Sequence, residues 1–442
     1  MIKKLVFYHG TNHDSIVAGG QLFMLGLSSQ LAKSAPNYEV YYIGRHDQKV
    51  KEAHYDTGLN LIDIETCNFA QFDGADFFVP FNYIAMFLED VSMITAGRIL
   101  TYCWHPNQTT WFVDQFYDPA QAKKDVFKLL KDTTSVCFMD FSCFLSTNTD
   151  TQYKFDKTIV PIFSSSSNQS YYNVGVSPKK TNCETKRVNI GWMSRLDGDK
   201  MPSLVNLIDN LYDIDDLTDT EIWLHVIGDG DRRRDFSLHE YSSRIRFVFT
   251  SYLFGDERNN YIKENIDVMV VMGMSALDVA ELSVPTVVPI CESHNFKDNK
   301  FVYLFDTKNF SLGWTIRELG FLWFRQFTIG SIIQHIYIEG KKQEYGERCA
   351  NFVRDNFSAE KSAECFWDAL QNTTLTIDDC RKNKSLIAQS NAFRSYKRFM
   401  GKSQDYHAFI NFVRKTRNMS KAKKSLYFVY MFAKRIFGFK AK

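Results

Sequence analysis

A chain of 442 residues, 45% hydrophobic and 15% aromatic, can build two cored domains with a remainder, which excludes a small disulfide-stapled fold and a disordered chain. The formal net charge of +2 conceals an uneven spread: residues 381–442 hold seventeen Lys/Arg against one acidic residue, Asp405, while residues 1–380 hold 36 basic and 50 acidic ones. An acidic body with a basic tail calls for an anionic partner, and a membrane surface, an anionic polymer or nucleic acid would each supply one.

Nine cysteines, an odd number with no C-x-x-C pair, point to a reduced cytosolic chain without a zinc site. The opening MIKKLVFYHG is too short in apolar residues for a signal peptide, and no run approaches the roughly twenty apolar residues of a spanning helix. Membrane contact is therefore expected from one side only.

In chain order, an apolar run at 5–8 is followed by HGTNHDSIVAGG, a helical pattern over 21–35 and a second apolar run at 40–43. Strand, glycine-containing loop, helix, strand is how a dinucleotide-binding type of α/β domain opens. The Gly19-Gly20 pair either admits close approach to the backbone or marks only a turn. Strand patterns recur at 61–64, 77–80, 99–103, 136–139 and 158–162. His105, in ILTYCWHPNQTTWF, falls just past a strand's C-terminal end, where open α/β sheets place ligands. It reads as a donor to a sugar hydroxyl, as a general base, or as a loop residue packed against Trp104 and Trp111.

Composition changes sharply in SSSSNQSYYNVGVSPKKTNCE, residues 164–184, which reads as a linker. The expected division is 1–180, 181–370 and a basic helical extension over 371–442. In the second half, a strand at 188–193 leads into SRLDGDKMPSLVNLIDNL, where Arg195 and Lys200 precede a helix starting near 202. Two cations beside a helix N-terminus make a phosphate-directed loop. Strands at 222–227 and 244–250 follow, separated by the turn Gly228-Asp229-Gly230. Leu253 and Phe254 come next and either flank a base or join the core; a helix over 256–265 precedes IDVMVVMGMSALDVAELSVPTVVPI.

That last stretch, residues 266–290, reads as strand, Gly-Met-Ser turn, short helix, strand: the βαβ unit of a parallel sheet. Gly273 permits a sharp turn, and Ser275 at the N-cap would leave the amides of Ser275, Ala276 and Leu277 as an anion site next to Met274. If the anion is a diphosphate, Asp278, one turn further in, could reach the hydroxyls of an attached ribose. The ligand-free alternative is a capping box between Ser275 and Asp278. A helical pattern over 344–370 closes this half.

The tail reads as helices at 385–400, 404–417 and 421–439. The last has an apolar aromatic block bracketed by lysines, suited either to an interfacial anchor or to packing on the body through Leu426, Phe428 and Phe432.

The blocks GWMSRLDGDKMP, VIGDGDRRRDF and MGMSALDVAELSVPTVV, in this order and spacing, resemble the C-terminal domain of GT-B glycosyltransferases, in particular glycosyltransferase family 4; the resemblance spans residues 1–370. It implies an α/β GT-B fold, two Rossmann-like doubly wound domains facing a cleft plus the basic helical extension. By resemblance Arg195 and Lys200 hold the donor diphosphate, Asp278 takes the place of the ribose-binding glutamate, His105 contacts the donor sugar, and Gly20 lies near the phosphates and acceptor. Gly228, Leu253, Gly273, Met274, Ser275 and Ala276 complete the implied nucleotide-sugar set. The family's first glutamate would fall at Val270, so the transferred sugar and the retaining outcome are left open at that position.

The implied activity is metal-independent, retaining transfer of a sugar from a nucleotide diphosphate to a lipid-linked or cell-envelope glycan acceptor. It needs no cofactor, has no nucleic-acid partner, and is placed at the cytosolic face of a membrane held through residues 385–442. A nucleotide-sugar epimerase of the same fold is the alternative. A nucleic-acid-binding adaptor using the tail is a third reading.

Overall fold

The computed structural model describes residues 2–10, 19–44, 57–164, 187–198, 200–214, 220–233, 245–292, 294–316, 325–400, 406–419 and 423. The chain divides into two compact units: residues 1–139, 143–160 and 363–442 form one, and residues 140–142 and 161–362 form the other.

Unit 1 contains β1 (Lys3–Tyr8), α1 (Gly19–Ser34), β2 (Tyr38–Gly44), β3 (Asn60–Asp63), β4 (Asp76–Pro80), α2 (Ile84–Asp90), β5 (Arg98–Cys103), α3 (Gln108–Val113), α4 (Pro119–Asp132), β6 (Val136–Phe138) and most of α5 (Phe141–Thr151). Its strands pair in parallel in the order β3-β2-β1-β4-β5-β6. Every residue of β4 is buried, as expected of a central parallel strand covered on both faces. Helix α4 starts because the Asp118 side chain accepts from the Gln121 amide and Pro119 occupies the first turn, and it buries Ala122, Val126, Phe127 and Leu130. The strand expected at 158–162 is reduced to one bridge, Phe138 to Ile159. Pro161 has no amide to continue the ladder.

Unit 2 repeats the plan with β7 (Arg187–Met193), α6 (Met201–Tyr212), β8 (Glu221–Ile227), β9 (Ile245–Thr250), α7 (Gly255–Asn265), β10 (Val268–Val270), α8 (Met274–Ala280), β11 (Thr286–Val288), β12 (Val302–Tyr303), α9 (Ile329–Ile333) and α10 (Lys342–Asn356). Its order is β12-β11-β10-β7-β8-β9, with only the last pair, β11 and β12, antiparallel. Counted from each unit's first strand, both sheets follow the Rossmann order 3-2-1-4-5-6.

The helical pattern expected over 344–370 is two helices. It breaks at Phe357 and Ser358, where the Ser358 hydroxyl accepts from the Lys361 amide and opens α11 (Ala359–Asn372). From residue 363 the chain belongs to unit 1 rather than ending the second domain. The extension continues as α12 (Ile377–Lys382), α13 (Lys384–Met400) and α14 (Tyr406–Thr416).

Leu375, Ile377, Leu386, Phe393, Tyr396, Phe409 and Val413 are buried in the same core as β4 and β5. The body's acidic groups meet the tail's cations: Arg394 binds Glu89 at 2.5 Å and Lys397 binds Asp90 at 3.3 Å. Arg381 donates to the carbonyls of Val91 and Ser92. So the first two tail helices pack on the body. The linker 165–184 and, apart from Lys423, the third tail segment 421–439 lie outside the described residues.

Candidate functional site

A sheet of this order has a switch point between its first and fourth strands, where the loops leaving their C-terminal ends run apart and leave a crevice. In unit 2 these strands are β7 and β10. The loop after β7 carries Arg195 and Lys200, and the turn after β10 carries Gly273, so the sheet topology brings together two blocks about 75 residues apart in sequence. The Lys200 ammonium lies 3.5 Å from the Met272 sulfur, immediately beside the turn. Arg195 is about half exposed and pairs with Asp197 at 3.0 Å.

The Gly-Asp-Gly turn after β8 holds the β7 loop in place. Leu196 donates to the Asp229 carbonyl and Ser194 to that of Ile227. A Cβ on Gly228 would lie 2.0 Å from the Ser194 carbonyl oxygen, and Gly228 has φ of 141°, so only glycine fits.

Gly273, not Ser275, is the N-cap of α8, with φ 63° and ψ −146°. Its amide is bonded to Leu312, and the Ala276 amide to Gly273. The turn therefore offers the first-turn amides of Met274 and Ser275 in place of the Ser275–Leu277 set, because Ala276 is the first amide to donate back to the Gly273 carbonyl. A Cβ on Gly273 would meet no atom within 4 Å, so a ligand can approach the backbone there. The capping box is absent: Ser275 lies inside the helix, and Asp278 is bound elsewhere.

Asp278 is buried. Its Oδ2 pairs with Arg258 Nη1 at 2.9 Å, and its Oδ1 accepts from Ser164 Oγ at 2.9 Å. Ser164 Oγ also lies 2.7 Å from Glu281 Oε2. Burial pushes the Glu281 carboxyl above its ordinary range, opposed by the Ser164 hydrogen bond and reinforced by the neighbouring Asp278.

Past β9 the chain is extended, so alternate side chains share a side. Tyr252 and Phe254 are both exposed, with ring centroids 6.2 Å apart. Leu253 between them is half-buried. The Tyr252 hydroxyl donates to the Asp229 carbonyl at 2.7 Å, tying this aromatic pair to the Gly-Asp-Gly turn. Sequence reasoning reached Phe254 and missed Tyr252 and Arg258; the alternation in TSYLF was the available signal for the first, and nothing in the spacing marked the second.

Unit 1 has its own switch point, between β1 and β4, and it is lined by rings. His9 at the end of β1 lies 6.0 Å from Tyr83 and 6.2 Å from Trp104. Gly20 lies in α1, where a Cβ would meet the Trp104 ring at 3.1 Å: here the glycine admits an indole. Gln108, fully buried, accepts from the Trp104 amide and donates to Asn82.

His105 stacks on Trp111 with centroids 4.4 Å apart, and its Nδ1 accepts from the Asn107 amide at 3.0 Å. The neutral ring therefore carries its proton on Nε2, which makes that atom a donor and removes the lone pair that a general base needs. The packing against Trp111, one of the three readings of this histidine, is present. Residues 11–18 of the expected glycine loop lie outside the described set. Among the described residues no group of three or more His, Cys, Asp or Glu is placed to hold a metal, and no helix is long and apolar enough to cross a membrane.

The fold and its switch points define an α/β protein of two Rossmann-like domains with a helical C-terminal extension, the architecture expected of a GT-B chain. The sequence matches no protein-family model and no curated protein. Among solved structures it is similar to the lipopolysaccharide outer core galactosyltransferase WaaB in its apo form, at 13% identity and a TM-score of 0.49 over 83% of this chain and 99% of that one. It is also similar to HepE of Anabaena in complex with UDP-glucose, at 11% identity and a TM-score of 0.48 over 83% and 99%. A third is the apo structure of OtsA, at 10% identity and 0.49 over 84% and 99%.

Proposed function

We propose that the chain is a glycosyltransferase that takes a sugar from a nucleotide diphosphate bound on unit 2 and delivers it to a glycan or lipid-linked acceptor bound on unit 1. The observation that carries this reading is the second sheet's switch point: the loop after β7, which holds Arg195 and Lys200, lies beside the turn after β10 with its open Gly273 backbone, and the Lys200 ammonium is 3.5 Å from the Met272 sulfur. Cleaving a sugar–diphosphate bond builds negative charge on the departing phosphate; fixed cations and amides aimed at it lower the barrier without a metal.

Asp278, oriented by Arg258 and Ser164, is the ribose carboxylate of this proposal. Tyr252 and Phe254 provide the stacking surface for the base. His105 is a hydrogen-bond donor to a sugar hydroxyl. Val270, fully buried in β10, cannot supply the family's sugar-binding carboxylate, so amides at the Gly273 turn take that task. A retaining outcome, a role in cell-envelope polysaccharide synthesis and a location on the cytosolic membrane face belong to this proposal. Arg381, Arg394, Lys397 and Arg414 are engaged with unit 1, so the proposed membrane contact is assigned to the other cations of the extension.

Calorimetry of the full chain against a panel of UDP-, GDP-, ADP- and TDP-sugars tests the donor, followed by product analysis with and without an added acceptor. Arg195→Ala and Lys200→Ala are each expected to lower turnover by about a hundredfold while the fold is retained. Wild-type turnover in both would remove the mechanism, and a changed nucleotide sugar formed without any acceptor would favour the epimerase.

A further inference from the structure

Among the described residues, Trp111 is one of the few large apolar side chains that unit 1 leaves exposed, at 37% of its surface. Its indole is not a loose surface group: it stacks on His105, which leaves the C-terminal end of β5, the edge at which parallel sheets bind ligands. The rim around it is polar. Asn107, four residues before, and Asp114, three after, cap the same short helix α3 and share its face with Trp111. The Thr110 hydroxyl donates to Asp150 at 3.3 Å. Asp114 is steadied by Arg414 at 3.9 Å, on α14, and by Arg417 at 3.6 Å, just past it.

We propose that the Trp111 indole, backed by His105 and rimmed by Asn107 and Asp114, is the platform on which a pyranose ring of the acceptor stacks. This rests on the glycosyltransferase reading and narrows its acceptor to a molecule that presents a sugar at the point of contact. A pyranose has one face of C–H groups and a rim of hydroxyls. A flat indole meets the first, and carboxylate and amide groups at its margin meet the second. A lipid chain needs a contiguous apolar patch of several hundred Å², and the polar margin of Trp111 interrupts any such patch. The tail contributes by fixing Asp114 rather than by touching the sugar, so Arg414 and Arg417 are positioning residues.

The test is saturation-transfer NMR of the full chain with the methyl pyranosides of glucose, galactose, mannose and N-acetylglucosamine, paired with calorimetry against UDP, GDP and ADP. At least one glycoside is expected to receive saturation mainly on one ring face. Trp111→Ala should weaken it about tenfold, the upper end of an aromatic contact. Trp111→Phe, which keeps a ring and guards against a folding artefact, should retain most of the affinity, and nucleotide affinity should be the same in all three proteins. No glycoside bound by the wild type, or equal binding by Trp111→Ala, overturns the platform. If a glycoside binds at Trp111 while no nucleoside diphosphate binds at all, the donor reading fails and the platform stands.

Discussion

The sheets of units 1 and 2 are built on one strand order, and each opens a crevice between its first and fourth strands, yet the two crevices are furnished in opposite ways. Unit 2 places Arg195, Lys200 and a glycine backbone there, the furniture of a phosphate site. Unit 1 places His9, Tyr83 and Trp104 there and packs Gly20 under an indole. Topology thus fixes where a ligand can enter, and side chains fix which chemistry it must have. The Gly19-Gly20 pair, which could have admitted close approach to the backbone, has Gly20 packed against an indole, whereas Gly273 in unit 2 stays open.

The comparison breaks most readily at the polar network behind the phosphate site. Arg258 and Asp278 keep only 15% and 7% of their side chains exposed, so Arg258→Ala leaves a buried carboxylate without its cation and should cost about 4 kcal/mol. Denaturant titration should show the loss in the unit 2 transition alone, and adding Asp278→Asn should recover part of it. A shift of the unit 1 transition instead would mean that the two units do not melt separately.

Next in size is a pH effect confined to unit 2. His225 donates and accepts between Tyr261 and Asn189, and burial, with Arg187 adding to it and Asp267 opposing, lowers its pKa from 6.5 to about 4. The unfolded chain therefore binds a proton between those values that the folded chain refuses. Stability from this group is full above about pH 6.5 and is lost as pH falls toward 4, by about 3 kcal/mol in all. A melting series from pH 7.5 to 4.5, with His225→Gln expected to flatten the slope in unit 2, checks it.

A smaller effect sharpens the contrast between phosphate and ring recognition. Tyr252→Ala should weaken nucleoside diphosphate binding by about 1 kcal/mol through lost base stacking, and leave inorganic pyrophosphate binding unchanged. The smallest is expected at the tail's ion pairs: Arg414 and Asp114 are each about 40% exposed, so Arg414→Ala should change unit 1 stability by no more than about 0.5 kcal/mol. A loss of several kcal/mol in the unit 1 transition would show that the tail docks by charge rather than through Phe409 and Val413.

Most strands were legible, because apolar runs such as LVFY and FFVP can be satisfied only inside a covered parallel sheet. So was the position of Arg195, Lys200 and Gly273 in the loops that follow β7 and β10. The run TIVPI misled because hydrophobicity alone ignores the missing amide of Pro161. Periodicity cannot say which core a helix enters, so the return of residues 363–413 to unit 1 was invisible; that choice is made by contacts with residues far away in sequence. The engagement of Asp278 with Arg258 and Ser164 was likewise hidden, because it joins three separate segments.

The return of the tail has a consequence for biosynthesis. Roughly 200 residues of unit 2 separate the two stretches that complete unit 1, and a ribosome working at about 5–20 residues per second needs about 10–40 s to make them. During that interval the first sheet has emerged with the apolar side of α2 uncovered, while the nested second unit can finish folding. Nascent unit 1 is thus a natural client for a chaperone, and a stalled or truncated message would release a chain with one sound half and one sticky one.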